Sequence, residues 1–174
     1  MELKRVVVTG LGAITPLGNT VGELFDNLTN GVSGCDLITK FDTTNHKTKF
    51  ACLVKDFDPG KYMDKKEARK MDLFSQYAMA SAIDAVSDSG LDLTKEDLDR
   101  IGCVWGSGIG GLETLQNDLC EFQANGRIPR FNPFFIPKLI GNIAAGYITM
   151  KYGIRGPSFT AISACASSSH ALIE

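Results

Sequence analysis

Apolar positions along the chain keep two rhythms. Arg5-Val6-Val7-Val8-Thr9-Gly10 is a β-branched run without polar alternation, ended by a glycine, and it predicts a short buried strand. The helical rhythm follows: Thr20-Val21-Gly22-Glu23 has the form of a capping box, Val21, Leu24, Phe25 and Leu28 share one helical face, and Gly31 is placed to stop the helix. Residues 32–60 are mixed, with an alternation over 48–54 that predicts an exposed strand or hairpin. From 65 to 89 the spacing of Met71, Phe74, Ala78, Ala82 and Ala85 predicts one long helix closing on Gly90, and Thr94-Lys95-Glu96-Asp97 predicts a short capped helix.

The second half repeats the pattern. Ile101-Gly102-Cys103-Val104-Trp105-Gly106 reads as a second buried strand running into the glycine-rich stretch 106–111. A helix over 112–124 presents Leu112, Leu115, Leu119 and Phe122 on one side. Pro133-Phe134-Phe135-Ile136-Pro137 is a stiff approach to a helix through Tyr152, and residues 158–164 return to strand. Strands alternating with helices imply a βαβ architecture, a mostly parallel sheet covered on both faces. One domain over 1–174 fits this length.

Composition narrows the function. With 44% hydrophobic and 22% charged residues the chain is expected to fold, and a net charge of −2 gives no global attraction to nucleic acid or an anionic membrane. The apolar run near the N-terminus is too short for a signal-peptide core, so a cytoplasmic protein is expected. Cysteines at 35, 52, 103, 120 and 165 show no C-x-x-C pair and only two histidines accompany them, which argues against a zinc site or disulfide framework. Most of the five are expected to be buried as small hydrophobes.

Three stretches carry candidate chemistry. Gly10-Leu11-Gly12 follows a strand, but Pro16 stands where a phosphate-binding helix should already run, and no acidic residue is placed for a ribose; a tight turn is the better reading. The 106–111 loop lacks the Gly-Lys-Ser/Thr of a P-loop, and its apolar Ile109 fits a loop bordering an apolar ligand. Cys165 lies where a strand feeds small residues and a helix begins. That is the place of a nucleophile elbow, where N–H groups favour thiolate and an oxyanion, although a cysteine flanked by alanines also fits a core position. His170, five residues on, is off its helical face and a poor general base; His46 reads as a surface residue.

Taken in order, Val7-Val8-Thr9-Gly10-Leu11-Gly12, Thr15-Pro16-Leu17-Gly18, Arg69-Lys70-Met71-Asp72, Gly106-Ser107-Gly108-Ile109-Gly110-Gly111, Pro133-Phe134-Phe135, Gly153-Ile154-Arg155-Gly156-Pro157-Ser158 and Ala164-Cys165-Ala166-Ser167-Ser168 resemble the N-terminal half of a β-ketoacyl-acyl-carrier-protein synthase. The Gly-Ile-Gly-Gly stretch and the run from Met71 to Tyr77 are similar to the synthase II type. The resemblance implies an α/β thiolase-like fold, of which this chain is the N-terminal βαβ half of a five-layered αβαβα architecture, working as a homodimer.

It also implies that Cys165 takes the acyl chain and that Ile109 and Phe135 line the acyl pocket. The two histidines and the lysine of such enzymes lie in a C-terminal half outside this sequence, so this stretch alone is expected to be inactive and poorly soluble. The partner is an acidic acyl-carrier protein bearing the phosphopantetheine, with no resident cofactor or metal, and Lys66, Arg69, Lys70 and Arg130 are the expected docking cations. The same resemblance admits a chain-length-factor-like subunit, against which the presence of Cys165 speaks. It also admits a polyketide ketosynthase or a thiolase.

Overall fold

Local signals make the first helix. The computed structural model describes residues 4–174, and these gather into two compact units: residues up to Asp58 with Ala80–Gly90, and Pro59–Met79 with Leu91–Glu174. In the first unit α1 (Val21–Thr29) starts where Thr20 Oγ1 accepts the Glu23 N–H at 3.1 Å, while Glu23 Oε2 accepts the Asn19 N–H at 2.8 Å. Its end is a Schellman motif: Gly31 at φ +67° donates to the Leu28 carbonyl and Val32 to the Asn27 carbonyl. Half of the predicted apolar face is uncovered, since Phe25 and Leu28 are exposed.

The predicted hairpin forms from β1 (Cys35–Leu37) and β2 (Phe50–Cys52), antiparallel with Cys35 opposite Cys52, Asp36 opposite Ala51 and Leu37 opposite Phe50. Gly10 and Gly12 lie so close to the Ala85 and Ser81 carbonyls that a Cβ at either would collide, and the Leu11 N–H donates to Asp88 Oδ2 at 2.9 Å. The two glycines therefore serve close chain approach, as the turn reading requires.

The expected strand over 5–10 is not there. Val6, Val7 and Val8 are 89%, 60% and 76% exposed, and no strand among the described residues pairs with them. β-branching records the need for a covered, paired position; it does not say which stretch of chain supplies the cover.

The second unit holds the βαβ core. Strands β3 (Cys103–Gly106) and β4 (Ser158–Ala161) are parallel, with Cys103 opposite Ser158 and Gly106 opposite Ala161. Between them run α4 (Leu112–Ala124), α5 (Phe135–Leu139) and α6 (Ile143–Tyr152), the crossover that a parallel pair demands. Both α6 and α7 (Ser167–Ile173) pack against the pair, and Met63, Met71, Met79, Cys103, Ala144, Ala145 and Ile148 are buried. Pro137 sits in the first turn of α5, where a missing N–H costs least. The single expected helix through Tyr152 is thus two, parted at Ile140 and Gly141, and β4 stops at Ala161 rather than 164.

The long helix expected over 65–89 is also divided, into α2 (Lys65–Ala68) and α3 (Leu73–Ser89). Asp72 causes the break: its Oδ1 accepts the Phe74 N–H at 3.2 Å, starting a new helix, and its Oδ2 accepts the N–H and hydroxyl of Thr114. Gln76 Nε2 then bridges the break, donating to the carbonyls of Ala68 (3.0 Å), which also accepts the Met71 N–H, and Met71 (3.3 Å). At 94–97 there are turns instead of a helix, because Asp92 takes the Thr94 N–H and hydroxyl and the Lys95 ammonium at 2.8 Å.

Asp72 is buried and carries both a helix start and the tie to α4. Asp72→Ala in the full-length protein is expected to lower stability by about 2 kcal/mol, and Asp72→Asn by less than half of that. The denaturant midpoint measures both; an unchanged midpoint in the alanine variant contradicts the assignment.

Candidate active site

After β4 the chain bends through Ile162 and Ser163 into a 3-10 turn, Ala164–Ala166, and then into α7. Ala164 sits at φ +49°, a left-handed conformation that a residue with a Cβ seldom adopts, and the next residue is Cys165. The sulfur is free and exposed, which removes the core reading. A strand, a sharp strained turn and a helix presenting a nucleophilic atom make an elbow.

Ser167 holds the elbow. Its hydroxyl is buried, donates to the Ala164 carbonyl at 2.7 Å with the Ser107 carbonyl at 3.2 Å as a second acceptor, and accepts the Ser163 N–H at 2.9 Å. The other bonds of the turn run from the Ala166 N–H to the Ser163 carbonyl and from the Ser167 N–H to the Ala164 carbonyl. Gly106, last in β3, lies directly beneath the Ser167–Ser168 peptide, and any side chain there would strike it.

Through Ser107 the elbow meets the 106–111 loop. Gly108 lies beside the Ala164 carbonyl, Gly111 donates to the Leu139 carbonyl at 3.0 Å, and Ser107 faces Gly141. The loop is held between the elbow and the α5–α6 joint, and its Ile109 side chain is 70% exposed at the crest. Phe135 is half-buried on α5 and stacks toward Phe131 at 5.7 Å, which in turn stacks on Phe122 at 5.6 Å. The structure thus brings Cys165 and the Ile109 loop together and places Phe135 in a neighbouring aromatic row. His170 Nδ1 is bonded to Ser163 Oγ at 2.6 Å, and exposed His46 packs its ring against Phe41.

The expected docking cations separate. Lys65 of α2 and Arg69, the residue that caps its C-terminus, line an open groove of about 350 Å³ together with Lys138 of α5. Its remaining lining, including Ala68, Met71 and Gln76, is uncharged. Lys66 is exposed. Lys70 is half-buried, its ammonium 5.6 Å from the Phe134 ring centroid, and it lines a different cavity of about 450 Å³ with Glu67, Tyr147 and Lys151. Burial pushes the Tyr147 phenol up, and its hydroxyl donates to the Lys70 carbonyl at 3.2 Å. Arg130 borders a small pocket that also holds Asp118 and Glu121. Lys138 was not legible as a partner of α2, because no sequence spacing connects residue 138 to 65 and 69.

Residues 3–174 match the family model described as beta-ketoacyl synthase, N-terminal domain. The chain belongs to the beta-ketoacyl synthases. It is 47% identical over 171 residues to 3-oxoacyl-(acyl-carrier-protein) synthase 2 of Vibrio harveyi, covering 98% of this chain and 41% of that protein. Against the protein of the same name from Staphylococcus aureus strain COL it is 42% identical over 172 residues, again covering 98% and 41%. The chain thus spans well under half the length of these synthases.

Among solved structures it resembles a ketosynthase bound to a type II PKS acyl-carrier protein, with TM-score 0.77, 25% identity, and 98% and 45% of the two chains covered. The ishigamide ketosynthase/chain length factor gives TM-score 0.81 at 27% identity over 90% and 39%. The thiolase-like ketosynthase fold expected from the motifs is therefore the fold of this synthase chain.

One expectation about its cysteines fails. Only Cys103 is buried; Cys35, Cys52, Cys120 and Cys165 are exposed. Burial pushes the Cys103 thiol up, so this one behaves as the small hydrophobe the composition suggested. The others lie on a hairpin, on an exposed face of α4 and on the elbow, positions that composition does not distinguish.

Gly106→Ala tests the elbow, because the added methyl meets the Ser167–Ser168 backbone. In the full-length synthase we expect it to cost roughly 1–3 kcal/mol, the range for overpacking. Gly22→Ala, in the first turn of α1 with nothing near its missing Cβ, is expected to leave stability unchanged or raise it by up to about 1 kcal/mol. Equal thermal midpoints for the two variants would contradict the packing described.

Proposed function

We propose that the full-length protein is a condensing enzyme of type II fatty acid synthesis, a 3-oxoacyl-acyl-carrier-protein synthase with Cys165 as the acyl acceptor. The observation that carries the reading is the exposed sulfur on a strained elbow after β4, in a chain 47% identical to a synthase 2. The Cys165 sulfur attacks the thioester carbonyl of an acyl-carrier protein; a tetrahedral oxyanion forms and collapses, and the carrier thiol leaves with a proton. The Ser163, Ala166 and Ser167 N–H groups donate within the turn, and the Cys165 N–H is the donor assigned to the oxyanion.

Malonyl-carrier then loses CO2, and its carbanion attacks the acyl-cysteine carbonyl to form the carbon–carbon bond. The cysteine thiolate is expelled, and 3-oxoacyl-carrier protein leaves. The groups that stabilise the enolate are assigned outside this chain, which spans 41% of its Vibrio harveyi relative; His170 Nδ1 is bonded to Ser163 Oγ. Ile109 gates the acyl pocket and Phe135 lines it. The scheme calls for no resident metal or nicotinamide; the phosphopantetheine arrives on the carrier. We place the working enzyme as a homodimer in the cytoplasm, and among the described residues no helix is long and apolar enough to cross a membrane.

A polyketide ketosynthase uses the same chemistry, but 42–47% identity to synthase 2 sequences against 25–27% to the polyketide structures favours the fatty acid reading. Incubating the full-length protein with an acyl-carrier thioester and mapping peptides by mass tests it. An acyl group on Cys165, lost in Cys165→Ser, is expected. Acylation elsewhere, or none in folded protein, contradicts the proposal.

The carrier docks, in this reading, on cations around α2: Lys66, Arg69, Lys70 and, across the sequence, Arg130. The groove adds Lys65 and Lys138, giving three cations converging with no carboxylate in the lining. Arg69→Glu and Lys138→Glu are each expected to raise the KM for acyl-carrier protein roughly 5- to 10-fold and to weaken its salt dependence, leaving the KM for an acyl-pantetheine thioester unchanged. Arg100→Glu makes the same charge change at an exposed position outside the groove, and is the control. Equal effects on both substrates contradict docking there.

A further inference from the structure

The β1–β2 hairpin sets two of the exposed cysteines face to face. Register pairs Cys35 with Cys52, and the Ile38 N–H bonds to the Lys49 carbonyl at 3.0 Å. Antiparallel pairs alternate between hydrogen-bonded and non-hydrogen-bonded sites, so 38 with 49 and 36 with 51 are bonded pairs, while 37 with 50 and 35 with 52 are not. Cα atoms of a non-hydrogen-bonded pair stand about 4.5 Å apart, inside the roughly 4.4–6.8 Å that a disulfide spans. The side chains of such a pair project from the same face of the ladder.

The two thiols also act on each other: desolvation, followed by the Cys52 thiol, pushes Cys35 above the ordinary thiol range. Both residues are free and exposed, so an oxidant reaches them. Neither belongs to the elbow, the glycine loop or the cationic groove, and the condensing chemistry makes no use of them.

We propose that Cys35 and Cys52 are a reversible oxidation site, closing to a cross-strand disulfide when the protein meets a peroxide. Hydrogen peroxide converts one thiol to a sulfenic acid with release of water; the second sulfur attacks the first, and a second water leaves. Two thiols and one peroxide thus give one disulfide and two waters, the sulfurs losing two electrons that reduce the peroxide. Both cysteines are exposed, so a dithiol reaches the bond and reopens it. The C-x-x-C test misses this pair because the partners come from different strands, set together by the hairpin register alone.

Trypsin cuts after Lys40, Lys47 and Lys49, which puts the two cysteines on separate peptides. The reduced full-length protein is treated with one equivalent of hydrogen peroxide, blocked with iodoacetamide and digested without reductant. A linked Cys35–Cys52 peptide is expected in most molecules and disappears with dithiothreitol. Cys35→Ser is expected to abolish the link and leave Cys52 as a sulfenic acid that dimedone traps. Cys35 and Cys52 both still open to iodoacetamide after peroxide, or linked to Cys120 or to a second copy of the chain, in protein whose thermal midpoint is unchanged, overturns the proposal.

Discussion

The turn that carries Cys165 depends on one buried hydroxyl. Ser167 ties the Ala164 carbonyl, the Ser163 N–H and the Ser107 carbonyl into one knot, so the end of β4, the turn carrying Cys165 and the loop carrying Ile109 are held by a single side chain. The knot accounts for how an alanine stays at positive φ, a conformation of order 1–3 kcal/mol above its usual ones. It also accounts for Gly106, whose missing side chain lets the Ser167–Ser168 peptide rest on β3.

The surroundings of that knot follow from the βαβ order. A parallel pair needs a crossover, and α4, α5 and α6 supply it while bringing the α5–α6 joint under the glycine loop. The same crossover carries Lys138 to the groove where Lys65 and Arg69 lie. The exposed Cys165 turn, the apolar crest and the cationic groove are thus parts of one compact unit, and the path between β3 and β4 supplies the crest and Lys138.

What could be read from the sequence was what is local. The start and stop of α1 are decided within about four residues by Thr20, Glu23 and Gly31, and they stand as expected. β3 and the elbow motif were legible because apolar runs and small residues abut. The strand over 5–10 was misread because burial of Val6, Val7 and Val8 needs cover from chain distant in sequence. The division of α2 from α3 turned on Asp72 preferring a helix start, a local signal hidden by continuous apolar spacing on either side. Lys138 in the groove and Cys35 opposite Cys52 needed tertiary placement, which periodicity does not carry.

The central claim is that the fold presents the Cys165 sulfur and hides the Cys103 sulfur, one strand away. Timed alkylation of the native full-length protein by iodoacetamide, read peptide by peptide, measures this directly. The account predicts rapid labelling of Cys165 and no labelling of Cys103 until the protein is denatured. Labelling of Cys103 at the rate of Cys165, or a Cys165 that reacts only after denaturation, would contradict it.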